Sequence, residues 1–246
     1  MLDFTTTQWL LVIIAATLIG FSKTGIPGAG ILVVPLMAMV MAAKQSTGFV
    51  LPMLAMADIM AIIYWRRHVA RRQLGRLLPW TFLGVVAGYF LLDVITNQQL
   101  KPTIGALVLL LIVGSWIRSR TIKDEQIPTH WLFAALVGMA AGSTSMMANA
   151  AGPVMVIYLV AMRFRKEEFI GTQAWFFWIL NLSKLPFSGK LGLIDQASLM
   201  TNLCLLPCLL IGGVLGIFLV HRLSERVFNS VVQILALGAA IYLCAA

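Results

Sequence analysis

The chain has 246 residues, 60% of them hydrophobic and 11% charged, and 18 lysines and arginines against 9 aspartates and glutamates give it a net charge of +9. Soluble domains carry about a quarter of their residues as charges, so this composition excludes one and points to a chain dissolved in lipid. The positive balance does not indicate nucleic acid, because the basic residues fall in short connectors between apolar runs rather than along one face.

In chain order the apolar runs are Trp9–Phe21, Ile31–Ala42, Val50–Trp65, Leu77–Ile95, Ile104–Ile117, Trp131–Met139, Val154–Met162, Ala174–Leu182, Leu199–Val220 and Val231–Cys244. Several approach the ~20 residues that span a bilayer as a helix, and several fall well short. Asp3 and no basic residue precedes the first run, which is not the basic opening of a cleaved signal, so the first helix is expected to stay. Four connectors are basic: Arg66, Arg67, Arg71, Arg72 and Arg76; Arg118, Arg120 and Lys123; Arg163, Arg165 and Lys166; Arg222 and Arg226. The positive-inside rule makes these cytoplasmic. The connectors left for the other side carry only Lys44, Lys101 and Lys190, offset by Asp93 and Asp195. Trp9, Trp65, Trp80, Trp116 and Trp131 lie near run ends, where tryptophan anchors a helix at the membrane surface. Cys204 and Cys208 lack the C-x-x-C spacing of a redox pair, and with Cys244 they read as apolar fillers.

The second half repeats the first. Trp9 falls on Trp131, Gly20 on Gly142 and Gly30 on Gly152 at one offset, and Gly48 falls on Gly171 after a shift of one. Further on, "LLPWTFLGVVAGYFL" and "LLPCLLIGGVLGIFL" align through Pro79 and Pro207, Gly84 and Gly212, and Gly88 and Gly216. Residues 1–118 form one transmembrane repeat and 131–246 the other, joined by a cytoplasmic linker at 119–130. Matched connectors carry opposite charge signatures, Arg66–Arg76 against Ser183–Ser198 and Asp93–Lys101 against His221–Glu225, so the copies are inverted. Secondary transporters recur in this form, with the substrate near the midplane at the repeat interface.

The first run ends in "GFSKTGIPGAG", where a lysine, a proline and several glycines stand at membrane depth. A helix from Trp9 to Phe21 reaches only about 20 Å at ~1.5 Å per residue, and Ile31–Ala42 is no longer. Gly25, Pro27, Gly28 and Gly30 break the chain between them, and irregular backbone is tolerated at that depth only where protein buries it or water lines it. "GSTSMMANAAGP" repeats the design in the second half. The expected fold is therefore an all-α integral membrane protein of two inverted-topology repeats, each beginning with a short broken or re-entrant helix pair followed by three spanning helices. The two glycine-rich tips approach each other from opposite faces. Backbone N–H groups and the following helix N-termini suit such tips to a small anion.

"GFSKTGIPGAGILVVPLMA", "NAAGPVMVIYLVAMR" and the "LLP…G…G" segments resemble the sulfite exporter TauE/SafE-like transporters over essentially the whole chain. The resemblance implies a transporter, and beyond that a bacterial inner-membrane exporter of sulfite, an organosulfonate or a related sulfur oxyanion. The first motif is poorer in glycine than is common in that family, and the second has alanines and Asn149 where glycine is expected.

The substrate-binding candidates are Ser22, Lys23, Thr24, Gly25, Gly28 and Gly30 at the first tip, Ser143, Thr144, Ser145, Asn149 and Gly152 at the second, and Lys184. Lys23 is costly in lipid by roughly 3 kcal/mol unless it faces protein, water or an anion; the other readings are a cation snorkelling to the interface or one held by helix C-terminal carbonyls. Lys184, just before Pro186, falls either in the site or at the outer interface. The hydroxyls offer neutral donors to an oxyanion, although Ser and Thr also pack between membrane helices. Asp58 stands alone among acids deep inside an apolar run and is the candidate for coupling to a proton, with Asn181 its repeat counterpart; the plainer reading is a hydrogen bond across helices or a pair with Lys23 or Lys184.

No nucleotide-binding loop is present to harness ATP, so a gradient or the membrane potential is the expected drive. No cofactor or metal site is expected, and the expected partners are the substrate anion and the bilayer, with a homo-oligomer left open. One alternative, an intramembrane enzyme, lacks a catalytic pair, since His68, His130 and His221 all sit in connectors. A second, a non-transporting assembly or sensor subunit, gives no reason for two matched broken tips.

Overall fold

The computed structural model describes residues 2–27, 29–94 and 130–245, and these are helical apart from short connections. The helices are α1 (Thr6–Thr24), α2 (Val33–Ala38, entered through a 3-10 turn at Ala29–Leu32), α3 (Ala43–Trp65), α4 (Arg71–Val94), α5 (Trp131–Ala148), α6 (Ala151–Ala161), α7 (Lys166–Lys190), α8 (Gln196–Cys204), α9 (Leu206–Arg222) and α10 (Glu225–Ala245). The linker at 119–130 and the apolar run Ile104–Ile117 lie outside the described residues, save His130, whose ring caps α5 through the Leu132 N–H.

The exterior is apolar and a few ionisable groups lie inside, unlike a soluble protein. Leu83, Val86 and Phe90 on α4, Leu132 and Leu136 on α5, and Ile211, Val214 and Phe218 on α9 face outward, while Asp58, Asn181 and Lys184 are buried. Only a hydrocarbon solvent makes such an exterior favourable. Four described helices are long and apolar enough to cross a bilayer, Thr6–Thr24, Lys44–Trp65, Arg71–Leu92 and Trp131–Ala148, and α8 and α9, bent by 49° at Leu205, make a fifth crossing if taken together. The protein is multi-pass. Leu205 accommodates the bend just ahead of Pro207, which has no N–H to continue the α8 ladder.

α1 and α5 are longer than the sequence leads one to expect. Thr5 and Gln8 form a reciprocal cap that starts α1 ahead of Trp9, and the helix continues through Ser22, Lys23 and Thr24. Its 19 residues reach about 28 Å, close to a full crossing. α2 and α6 are the short partners that fold back, so that Gln8 Nε2 meets the Val40 carbonyl and Phe133 stacks on Tyr158. The hairpins overlap instead of meeting tip to tip. The Thr24 carbonyl at the first tip accepts from the Trp65 indole at 3.0 Å, whereas Asn149 at the second donates to the Thr47 carbonyl at 2.9 Å. Thr47 and Trp65 are about 27 Å apart along α3. Trp65 is therefore no surface anchor: it is buried, and its ring stacks on His221. Of the cysteines, Cys204 is exposed on the apolar exterior rather than packed inside.

Glycines set two tight helix pairs, α1 with α9 and α4 with α5. A Cβ on Gly20 would stand 2.0 Å from the Leu209 carbonyl oxygen and 2.9 Å from the Gly213 nitrogen; one on Gly142 would stand 2.1 Å from Thr81 O and 2.8 Å from Val85 N. Gly212 meets Thr17 O and Gly84 meets Met139 O in the same manner. Backbones approach this closely only where small residues recur a turn apart, as at Gly84 and Gly88 or Gly212 and Gly216.

Candidate functional site

α3 and α7 lie side by side between the two glycine-locked pairs. Gly48 of α3 touches the backbone of Leu193 beyond α7, and Gly171 of α7 touches the backbone of His68 beyond α3. The sequence of α7 places Gln173, Phe177, Asn181, Lys184 and Ser188 three and four apart, which is one face of a helix, and all five are buried. A polar stripe thus runs along the inside of a helix whose opposite face is apolar.

Two adjacent clusters form on this stripe. In the first, Lys23 at the end of α1 turns inward, with Nζ 2.8 Å from Asp58 Oδ1 and 4.0 Å from the centre of the Phe177 ring. Asn181 Nδ2 donates to the other carboxylate oxygen at 2.6 Å. Asp58 is completely buried, about 10 Å along α3 from Trp65. An ion pair so enclosed survives because ammonium, amide and ring each stabilise its charges.

One turn further along α7, Lys184 is 1% exposed. Its ammonium donates to the Ser145 carbonyl at 3.0 Å, the Ser145 hydroxyl oxygen at 2.8 Å and Asn149 Oδ1 at 2.6 Å. Three acceptors match the three donors of an ammonium group. None is charged, and among the described residues no carboxylate lies within ion-pair distance. Asn149 is held for this role: its φ of 54° ends α5 in the left-handed region, and its Nδ2 is spent on Thr47 O, which fixes Oδ1 toward the lysine.

Lys23, Asp58, Asn181, Lys184, Ser145 and Asn149 are thus brought into two adjacent clusters, while the remaining described candidates lie outside them. The Ser22 hydroxyl oxygen accepts from the Gly30 N–H at 2.9 Å and pins the first turn-back. Thr24 donates to Gly213 O at 2.7 Å and Gly25 abuts Gly216, so both lock α1 onto α9. Ser143 and Thr144 donate back to Met139 O and Ala140 O within α5. A Cβ on Gly152 would meet nothing within 4 Å. Gly28 lies outside the described residues. Phe177 and Thr47 were not expected. The spacing of Phe177 from Asn181 and Lys184 could have placed it on their face, but a carbonyl acceptor such as that of Thr47 has no signature in side chains.

No curated protein and no solved structure matches this chain. A family model described as sulfite exporter TauE/SafE matches residues 12–243, from within α1 almost to the end of α10 and through every residue of both clusters. The fold's lipid-facing exterior, its crossings and that near-complete match agree, and the chain belongs to the sulfite exporter TauE/SafE family of membrane transporters.

Proposed function

We propose that the protein is a secondary transporter exporting a small anion, sulfite, an organosulfonate or a related sulfur oxyanion, by alternating access around the level of α3 and α7 that carries Asp58, Asn181 and Lys184. The observation that carries this reading is Lys184, a buried amine whose three hydrogen-bond acceptors are all neutral oxygens. A positive charge on it is costly there unless an anion accompanies it. Lys23 is already neutralised by Asp58, so Lys184 takes the role of host that either lysine could fill from sequence. The substrate displaces one of its three acceptors. The site then lies between the two glycine-rich breaks, which position Ser145 and Asn149 on one side and Lys23 on the other.

The inverted repeat belongs to this proposal and is supported by contacts in equivalent places. Thr17 meets Gly212 where Met139, its counterpart, meets Gly84, and Leu209 meets Gly20 where Thr81 meets Gly142. Each repeat's first helix packs on the other repeat's later one, leaving α3 and α7 as the central pair with Asp58 and Asn181 in contact across it. Positive-inside charge places the Trp65 end of α3 at the cytoplasm of the cell membrane. Expulsion of an anion from a negative interior is favoured by about 2.3 kcal/mol per charge per 100 mV, so efflux needs no second ion. Flux of labelled sulfite, alkyl sulfonates, thiosulfate and carboxylates into proteoliposomes tests the reading. Saturable, protein-dependent flux of one class of anion supports it, and the absence of flux of any anion refutes it.

A further inference from the structure

The charges on the stripe can be counted. With both amines protonated, the state that an anion beside them favours, Lys23 and Lys184 supply two positive charges and Asp58 one negative, all buried, and Asn181, Ser145 and Asn149 are neutral. The helices packed against this level bring no further charge to it among the described residues: α5 and α8 contain no charged residue, α9 carries Arg222 only at its far end, and the arginines of α4, Arg71, Arg72 and Arg76, are exposed in its first two turns. Among the described residues the enclosed balance is then one positive charge. We infer that the transported species carries a single negative charge, matching the one positive charge that remains when Asp58 cancels that of Lys23. The inference rests on the reading of the stripe as an anion site and adds the charge class of what it takes.

The electrostatics are steep here because the groups are out of water. A monoanion beside Lys184 brings the enclosed charge to zero. A dianion leaves one uncompensated negative charge near Asp58, in an environment where like charges are not screened by solvent. Among sulfur oxyanions, alkyl sulfonates and hydrogen sulfite carry one charge, whereas sulfate and thiosulfate carry two. Asp58 therefore sets the charge balance by cancelling Lys23, as well as tying α1 to α3.

The test uses two probes of fixed charge, methanesulfonate and sulfate, each competing for uptake of the best substrate into proteoliposomes at one pH. The wild type should be inhibited at least about tenfold more strongly by methanesulfonate, since like-charge penalties reach several kcal/mol and tenfold is only about 1.4 kcal/mol. Asp58→Asn leaves two positive charges and should reverse the order. Because a lone Lys23 could prevent that variant from folding, the double variant Lys23→Gln/Asp58→Asn provides a second arm: its balance is again one positive charge, and it should bind both probes more weakly in the wild-type order. Lys184→Gln, with a balance of zero, should take up neither the substrate nor either probe. Sulfate inhibiting the wild type as well as methanesulfonate, or a double variant with the order reversed, overturns the inference. A wild type that transports anions in the wrong order defeats only the charge rule, whereas one that transports no anion defeats the transport reading beneath it.

Discussion

Adding one methyl group at Gly142 should loosen the α4–α5 pair more than any loss of side-chain contact on the lipid face. The new Cβ would stand 2.1 Å from the Thr81 carbonyl oxygen and 2.8 Å from the Val85 nitrogen, where ordinary contact is 3.4–4 Å, so the helices must separate by more than 1 Å. Both obstructing atoms are backbone and cannot rotate away. Overpacking typically costs ~1–3 kcal/mol, and an immovable neighbour on a helix pair of this length puts Gly142→Ala at the upper end. Gly75→Ala is the control: nothing lies within 4 Å of its Cβ, and alanine gains ~0.5–1 kcal/mol of helix propensity. Thermal unfolding of the two variants in one detergent, followed by tryptophan fluorescence, should separate them by about 3 kcal/mol. Gly20→Ala should fall with Gly142→Ala, because its Cβ meets Leu209 O and Gly213 N at nearly the same distances. A Gly142→Ala protein melting with or above Gly75→Ala would refute the close-contact account of the two pairs.

Lys23→Gln strands the Asp58 carboxylate in the interior and should lower stability by ~3–5 kcal/mol, a loss the double variant with Asp58→Asn largely restores in the same melting assay. Asn149→Gly keeps the left-handed turn and Asn149→Ala strains it, so both should lose transport while only the alanine variant loses a further ~1–2 kcal/mol by unfolding. Single cysteines at the exposed positions Arg72 and Lys190 should react with an impermeant thiol reagent from opposite sides of the membrane, and labelling from one side would end the inverted topology. Asp195 caps α8 through Ser198, whose N–H and hydroxyl hold the carboxyl below the usual carboxylate range. Its contribution is present above the unfolded value and lost as pH falls through the folded one, so Asp195→Ala should melt about 1 kcal/mol lower at neutral pH and converge on the wild type in acid.

How much of this could be read from residues depends on what kind of interaction each one makes. The membrane class, the close-packed glycines at Gly20, Gly84, Gly142 and Gly212, and the burial of Lys23, Asp58 and Lys184 among polar partners follow from charges and glycines standing where lipid forbids or sterics demand them. The lengths of α1 and α5 did not follow from hydropathy, because Ser22, Lys23 and Thr24 are polar yet remain helical once their side chains find partners in Gly30, Asp58 and Gly213. The hydroxyl clusters misled for a related reason. Ser143 and Thr144 satisfy themselves on their own helix, and only the residue one step on, Ser145, faces Lys184. Which lysine Asp58 chooses is a matter of tertiary distance that no spacing in the chain encodes.

The claim that Lys184 hosts the anion is tested most directly by transport in Lys184→Met, measured in proteoliposomes beside the melting temperature of the same preparation. The substitution removes the ammonium group, keeps an unbranched side chain one atom shorter and leaves the Lys23–Asp58 pair intact. Relief of a buried, unneutralised charge offsets the hydrogen bonds lost at Ser145 and Asn149, so the variant should fold and melt like the wild type while anion flux falls to the level of protein-free vesicles. Wild-type flux through a folded Lys184→Met protein would contradict the account.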